Sequence, residues 1–270
     1  MQALEFLGIG FVVGLYGTII GAGGGFLLVP ILLLRYHLMP QLAIGTSLCV
    51  VFFNALSGSF SYARQKRIDY HTGLSFATGT LPGAILGVFL TGYFTPKVFY
   101  ILFGIILIGV GMLLFFRPEP APTKDASRCF LPFLRRKPVL RSLIDADGKK
   151  YEYCFNYACG IALSFIVGFF SSLLGIGGGI IHVPALIYMF SFPYHIAIAS
   201  SHFILMISSL VGSIFHGISG NVNIEIALII GIGAVLGAQA GALISKRMSG
   251  LWIVRLLSLA LIAIGIRLLV

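Results

Sequence analysis

Two glycine-rich decapeptides, each set inside a long apolar block, restrict this chain more than any other feature. The first runs Gly21-Ala22-Gly23-Gly24-Gly25-Phe26-Leu27-Leu28-Val29-Pro30 and the second Gly175-Ile176-Gly177-Gly178-Gly179-Ile180-Ile181-His182-Val183-Pro184. A shift of 154 residues superposes them, and the same gapless shift pairs Gly14 with Gly168, Ala43 with Ala197, Ser47 with Ser201, Gly58 with Gly212 and Gly83 with Gly237. The chain reads as two copies of one unit. Each glycine costs a helix about 1 kcal/mol relative to alanine. A cluster kept twice at matching positions marks a required break in the helix.

The blocks around these breaks set the class. Phe6–Leu34, Leu42–Tyr62, His71–Tyr93 and Lys97–Phe116 are followed by Phe155–Phe190, His195–Gly217, Ile224–Ile244 and Leu251–Leu269, and Phe99–Phe116 carries no charge at all. A soluble protein would need polar faces on such helices. With 58% hydrophobic residues, 10% charged and mean hydropathy +1.03, the expectation is an all-α polytopic membrane protein. The first block has neither the basic flank nor the small-residue cleavage pattern of a signal peptide, and it runs into the glycine motif. A net charge of +10 would suggest nucleic acid in a soluble protein, but nine of the eighteen Lys and Arg lie between Arg117 and Lys150. That clustering is the positive-inside pattern of a cytoplasmic loop, and no nucleic-acid partner is expected.

Each glycine-broken block fits either one bent helix or two half-helices folded back as a re-entrant hairpin. The limbs Phe6–Ile20 and Gly25–Leu34 would rise about 20 and 15 Å, each short of a ~30 Å hydrocarbon core. Charge chooses between the two. With Arg117–Lys150 inside, Arg64, Lys66 and Arg67 are inside as well, but Lys246 and Arg247 fall inside only if Phe155–Phe190 returns to the side it came from. A hairpin plus three spans is an odd number of crossings, so the reading is two inverted, pseudo-symmetric repeats, 1–116 and 154–270. The expected location is a bacterial inner membrane, crossed many times, with 117–153 in the cytoplasm.

Within that loop, Arg117–Lys137 reads as a Pro-rich flexible linker, and Asp147-Gly148 between two strand-like runs predicts a β-hairpin over 139–153. Cys49, Cys129, Cys154 and Cys159 show no C-x-x-C spacing and no structural disulfide is expected.

All eight acids (Glu5, Asp69, Glu119, Asp125, Asp145, Asp147, Glu152, Glu225) lie at span ends or in the loop. This leaves no mid-membrane carboxylate for a cation carrier and no acid pair for hydrolysis, so an enzyme is not expected. The interior instead offers backbone at Gly21, Gly23, Gly24, Gly25, Gly175, Gly177, Gly178 and Gly179, the hydroxyls of Thr46, Ser47, Ser200 and Ser201, the Asn54 amide and His202. A half-helix beginning at Gly24 or Gly25 aims unpaired N–H groups at midplane, and one beginning at Gly178 or Gly179 arrives from the other side; together they form a neutral oxyanion site. Gly14, Gly83, Gly87, Gly233, Gly237 and Gly241, spaced at or near four residues, read instead as helix-packing positions. His182, His202 and His216 stand opposite Leu28, Leu48 and Tyr62 in the repeat, and their spacing matches no helical zinc signature, so no metal or other cofactor is expected.

The doubled Gly-x-Gly-Gly-Gly followed by Val-Pro, together with Gly45-Thr46-Ser47 and Asn54-Ala55, resembles the sulfite exporter TauE/SafE family, also called the 4-toluene sulfonate uptake permease family. The resemblance covers nearly the whole chain, the loop after Phe116 least. It implies a secondary transporter of a small sulfur-containing anion such as sulfite, thiosulfate or an organosulfonate, working by alternating access in a lipid bilayer. The second half reads Ala199-Ser200-Ser201-His202 where the first has Gly45-Thr46-Ser47-Leu48, so the two sides of the site should differ. An anion channel of the same fold and a scaffold acting through the basic loop are the competing readings. Ion or proton coupling and homo-oligomerisation are left open.

Overall fold

The computed structural model describes residues 2–93, 95–116 and 139–269. The expected linker Arg117–Lys137 lies outside them. The first half holds α1 (Gln2–Ile20), α2 (Gly25–Leu34), α3 (Pro40–Arg64), α4 (Tyr70–Thr91) and α5 (Pro96–Phe116). The second holds α6 (Tyr157–Leu174), α7 (Gly179–Tyr188), α8 (Tyr194–Ile218), α9 (Ile224–Arg247) and α10 (Gly250–Leu269). Between them stand β1 (Val139–Ile144) and β2 (Lys150–Phe155). Among the described residues eight helices are long and apolar enough to cross a membrane, while α2 and α7, of ten residues each, are shorter. Large apolar side chains such as Phe89, Tyr93, Phe116, Leu236 and Leu243 face outward, as in a bilayer-embedded bundle.

Local chemistry sets the ends of these elements. Asp69 and Asn223, equivalent in the repeat, each cap the helix that follows, accepting from Thr72 N and Ile226 N. Pro40 supplies the first turn of α3, where its missing N–H is no loss. The break between α1 and α2 rests on Gly21, Gly23 and Gly24 at φ near +80°, and that between α6 and α7 on Gly175, Gly177 and Gly178 at φ +70° to +79°. No residue with a Cβ adopts these angles cheaply.

The halves interlock rather than stack. Leu7, Phe11 and Leu15 of α1 meet Gly233, Gly237 and Gly241 of α9 in that order, so these helices run the same way in backbone contact. Ile161, Phe165 and Phe169 of α6 meet Gly79, Gly83 and Gly87 of α4 in the same fashion. The glycines read as packing positions thus pack. Helix α3 also runs with α9, through Ser57 to Val235 and Ser61 to Gln239. Since α1 and α3 share one direction, the short α2 carries the chain back between them. Equivalent helices that touch oppose each other: Gly58 meets His202 and Leu48 meets Gly212 across α3 and α8, while Gly104 meets Gly265 and Gly111 meets Ser258 across α5 and α10. α1 begins at Gln2, before the apolar block expected to start at Phe6, and its 19 residues rise about 28 Å. At that length α1 is long enough for a crossing, against the expected limb of about 20 Å.

The two strands pair antiparallel from Val139↔Phe155 to Ile144↔Lys150, with Gly148 at φ +80° in the turn. Tyr151 and Tyr153 are buried on one face and Glu152 is exposed on the other. The hairpin docks on one end of the bundle. Ala146 N donates to Gln65 O, Tyr153 OH to Asp69 Oδ2 at 2.8 Å, and Lys246 Nζ pairs with Asp147 Oδ1 at 2.7 Å. The Tyr153 ring lies 4.1 Å from that of Phe192.

Candidate functional site

The two glycine turns touch at the centre of the molecule. A methyl group on Gly25 would strike the Gly175 carbonyl, and one on Gly179 would strike Gly21 and Ala22, so each turn is cut to fit the other's backbone. Equivalent hydroxyls bind across the halves: Ser47 Oγ donates to Gly175 O at 3.0 Å and Ser201 Oγ to Gly21 O at 3.3 Å. Val51 and Leu205, also equivalent, lie against both Gly23 and Gly177 and form with Ala55 a small apolar cluster of their own.

Around the first turn the polar groups are spent. Gly21 N donates to Thr18 O, and Ala22 N and Gly23 N both donate to Gly17 O, closing the end of α1 on itself. Thr18 Oγ1 donates to Asn54 Oδ1 at 2.6 Å, Asn54 Nδ2 to Gly23 O at 2.8 Å and Tyr62 OH to Thr18 O at 2.7 Å. His202 Nε2 stands 3.4 Å from the same Thr18 hydroxyl. Because that hydroxyl's single proton goes to Asn54, His202 Nε2 is the donor in this contact. Only the N–H groups of Gly24, Gly25 and Phe26 have no acceptor among the described residues.

The second turn is built on the same frame but left open. His216 Nε2 donates to Ser172 O at 3.1 Å, the counterpart of Tyr62 on Thr18. The N–H groups of Gly175, Ile176, Gly177, Gly178 and Ile180 have no acceptor among the described residues. The hydroxyls of Ser171 and Ser172 are buried and equally unpartnered, and Ser171 faces the start of α7 at Gly178. Where Ser171 stands in this half, the other has Gly17. Unspent buried donors are costly in a protein interior, and here they gather beside a helix N-terminus with its partial positive charge. The buried carboxylates among the described residues are Asp69 and Asp145, both at the hairpin end.

The structure thus brings Gly21, Gly23, Gly24, Gly25, Gly175, Gly177, Gly178, Gly179, Ser47, Ser201, Asn54 and His202 to one centre. It does not bring Thr46 and Ser200 there: their hydroxyls accept from Asn223 N and Asp69 N, holding the turns before α9 and α4. His182 lies apart as well, 3.1 Å from Ser164 Oγ. Thr18, Ser171 and Ser172 escaped the sequence reading, although the 154-residue shift aligns Thr18 with Ser172 immediately before each motif.

These features define a class: a polytopic helical membrane protein of two equivalent halves closed around paired broken helices, with a neutral, donor-rich centre. Residues 6–268 match the sulfite exporter TauE/SafE family, and the chain belongs to that family of membrane transporters. It is 38% identical to the Bacillus subtilis "Probable membrane transporter protein YunE" over 267 residues, covering 96% of this chain and 94% of the relative. A probable membrane transporter protein of Methanocaldococcus jannaschii is 29% identical over 89% of this chain and 85% of its own length. One of Xylella fastidiosa (strain Temecula1) is 28% identical over 90% and 85%. No solved structure matches the chain.

Proposed function

We propose that the chain is a secondary transporter of a small sulfur-containing anion, sulfite, thiosulfate or an organosulfonate, moved across a bacterial inner membrane by alternating access between two inverted halves. The family carries the substrate class. The observation that carries the site is the set of unspent donors at the second glycine turn, Ser171 Oγ, Ser172 Oγ and the N–H groups of Gly175, Ile176, Gly177, Gly178 and Ile180. A tetrahedral or pyramidal oxyanion brings several acceptor oxygens and no donor, which is the complement of this surface. With neutral donors the anion is held without an ion pair. The first turn, with the N–H groups of Gly21, Ala22 and Gly23 spent on the carbonyls of Thr18 and Gly17 and the Thr18 hydroxyl spent on Asn54, frames the site more than it feeds it. Opposed directions of α3 and α8, and of α5 and α10, support inversion, and the basic residues near the hairpin support a cytoplasmic position for that end.

The test is sulfite and thiosulfate flux in proteoliposomes. Ser171→Ala removes a hydroxyl with no partner among the described residues, so thermal stability should hold or rise while the half-saturating anion concentration increases several-fold. Gly178→Leu should abolish flux at equal protein level. Full transport by both variants would refute the site, and absence of counterflow would replace the carrier by a channel.

A further inference from the structure

Arg67 is the one Lys or Arg buried among the described residues, its side chain 6% exposed. It lies just past α3, under the β-hairpin. Its own N–H donates to Tyr62 O, and the Tyr62 hydroxyl reaches Thr18 O at the edge of the first glycine turn. The cation therefore stands between the centre and the hairpin-covered end. Its partners hold it loosely. Nη1 donates to Gln65 Oε1 at 3.1 Å, while Nη2 is 3.5 Å from Asp145 and 3.6 Å from Asp147, well beyond the ~2.8 Å of a tight guanidinium–carboxylate contact. Nε has no partner among the described residues.

Both aspartates are better engaged elsewhere. Asp145 Oδ1 accepts from Asp147 N and Lys149 N at 3.0 Å each, and Asp147 Oδ1 pairs with Lys246 at 2.7 Å. The hairpin carboxylates thus sit near the guanidinium without saturating it. At the opposite end the repeat preserves the backbone but not the charge: Asn221 occupies the place of Arg67, and its N–H donates to His216 O just as that of Arg67 donates to Tyr62 O.

We infer that Arg67 is a second anion-binding station, serving the hairpin-covered end alone, and that Asp145 and Asp147 occupy it in the anion's absence. The inference rests on the anion-transport reading above. A small oxyanion arriving at Arg67 makes the two-pronged contact that the carboxylates leave unmade and displaces the hairpin from that end. The aspartates act as tethered competitors.

Competition and a simple structural latch differ in sign. In proteoliposomes with sulfite, Arg67→Gln should raise the half-saturating concentration roughly tenfold or more and Arg67→Lys less, while Asp147→Asn, which leaves the turn's backbone bonds in place, should lower it. A latch requires both changes to impair transport in the same direction, and that result overturns the station. Should Arg67→Gln fail to fold, the wild-type chain still decides. Hydrogen–deuterium exchange over residues 145–153 should be faster in sulfite than in gluconate, and equal or slower exchange refutes the inference. Loss of flux in Gly178→Leu alongside unchanged half-saturation in Arg67→Gln would retain the central site and reject the station only.

Discussion

Asn54 holds the first glycine turn from both sides, accepting from Thr18 and donating to Gly23 O, and it is fully buried. Asn54→Ala strands both partners at roughly 1–3 kcal/mol each. The thermal midpoint in detergent should fall accordingly, and adding Thr18→Ala should cost less than the sum of the single changes, because the pair shares one bond. Asp145 gives a pH prediction. Burial by itself would raise its pKa, but the N–H groups of Lys149 and Asp147, then Arg67 and Tyr151, outweigh it and set the folded value below the ordinary carboxylate range. A lowered folded pKa stabilises docking fully above the unfolded value of about 4, and that contribution is lost as pH falls through the folded value. The protection of Ala146 N against hydrogen exchange, taken relative to its intrinsic rate at each pH, should fall only on acidification below about pH 4, and Asp145→Asn should remove that dependence. That Ser47 and Ser201 reach the glycine turns was legible from their place in the repeat. Ser171 and Ser172 were not, since a serine in a helix ordinarily bonds a carbonyl of its own preceding turn, as Ser209 does to Leu205; only the fold shows hydroxyls that forgo it.

At the level of elements, glycine has two meanings that sequence spacing separates only in part. Gly237 lies in backbone contact with Phe11, whereas Gly109 has open space around it. Gly237→Leu should therefore prevent α1 and α9 from closing and abolish folded protein on size exclusion, while Gly109→Leu should leave yield and flux unchanged. Spacing near four predicted the packing set correctly, because close helix approach imposes that period. Partner identity was beyond it: nothing in Gly79, Gly83 and Gly87 says that α6 of the other half is what they meet. The hairpin was legible from Asp147-Gly148, whose turn chemistry is local. Its docking on Gln65, Asp69 and Lys246 depends on contacts distant in sequence and needed the structure.

For the whole molecule, the repeat could be read from the 154-residue register and the membrane class from composition and the long apolar blocks. The interlocking of the halves was invisible to both. It predicts that residues 1–116 or 139–270 expressed singly will be degraded, since each leaves a glycine-lined groove without its filler, whereas co-expression of the two pieces should restore a complex that co-purifies and transports. Folded singles would contradict it. The same interlocking also sets a timetable for biosynthesis. Gly10 of α1 packs on Ile230 of α9, some 220 residues later in the chain. At about 5–20 residues per second, α1 waits roughly 10–45 s in the bilayer before its partner is made. During that interval its glycine face is open to lipid and to any other helix, so the insertion machinery or a membrane chaperone has a defined client surface to shield.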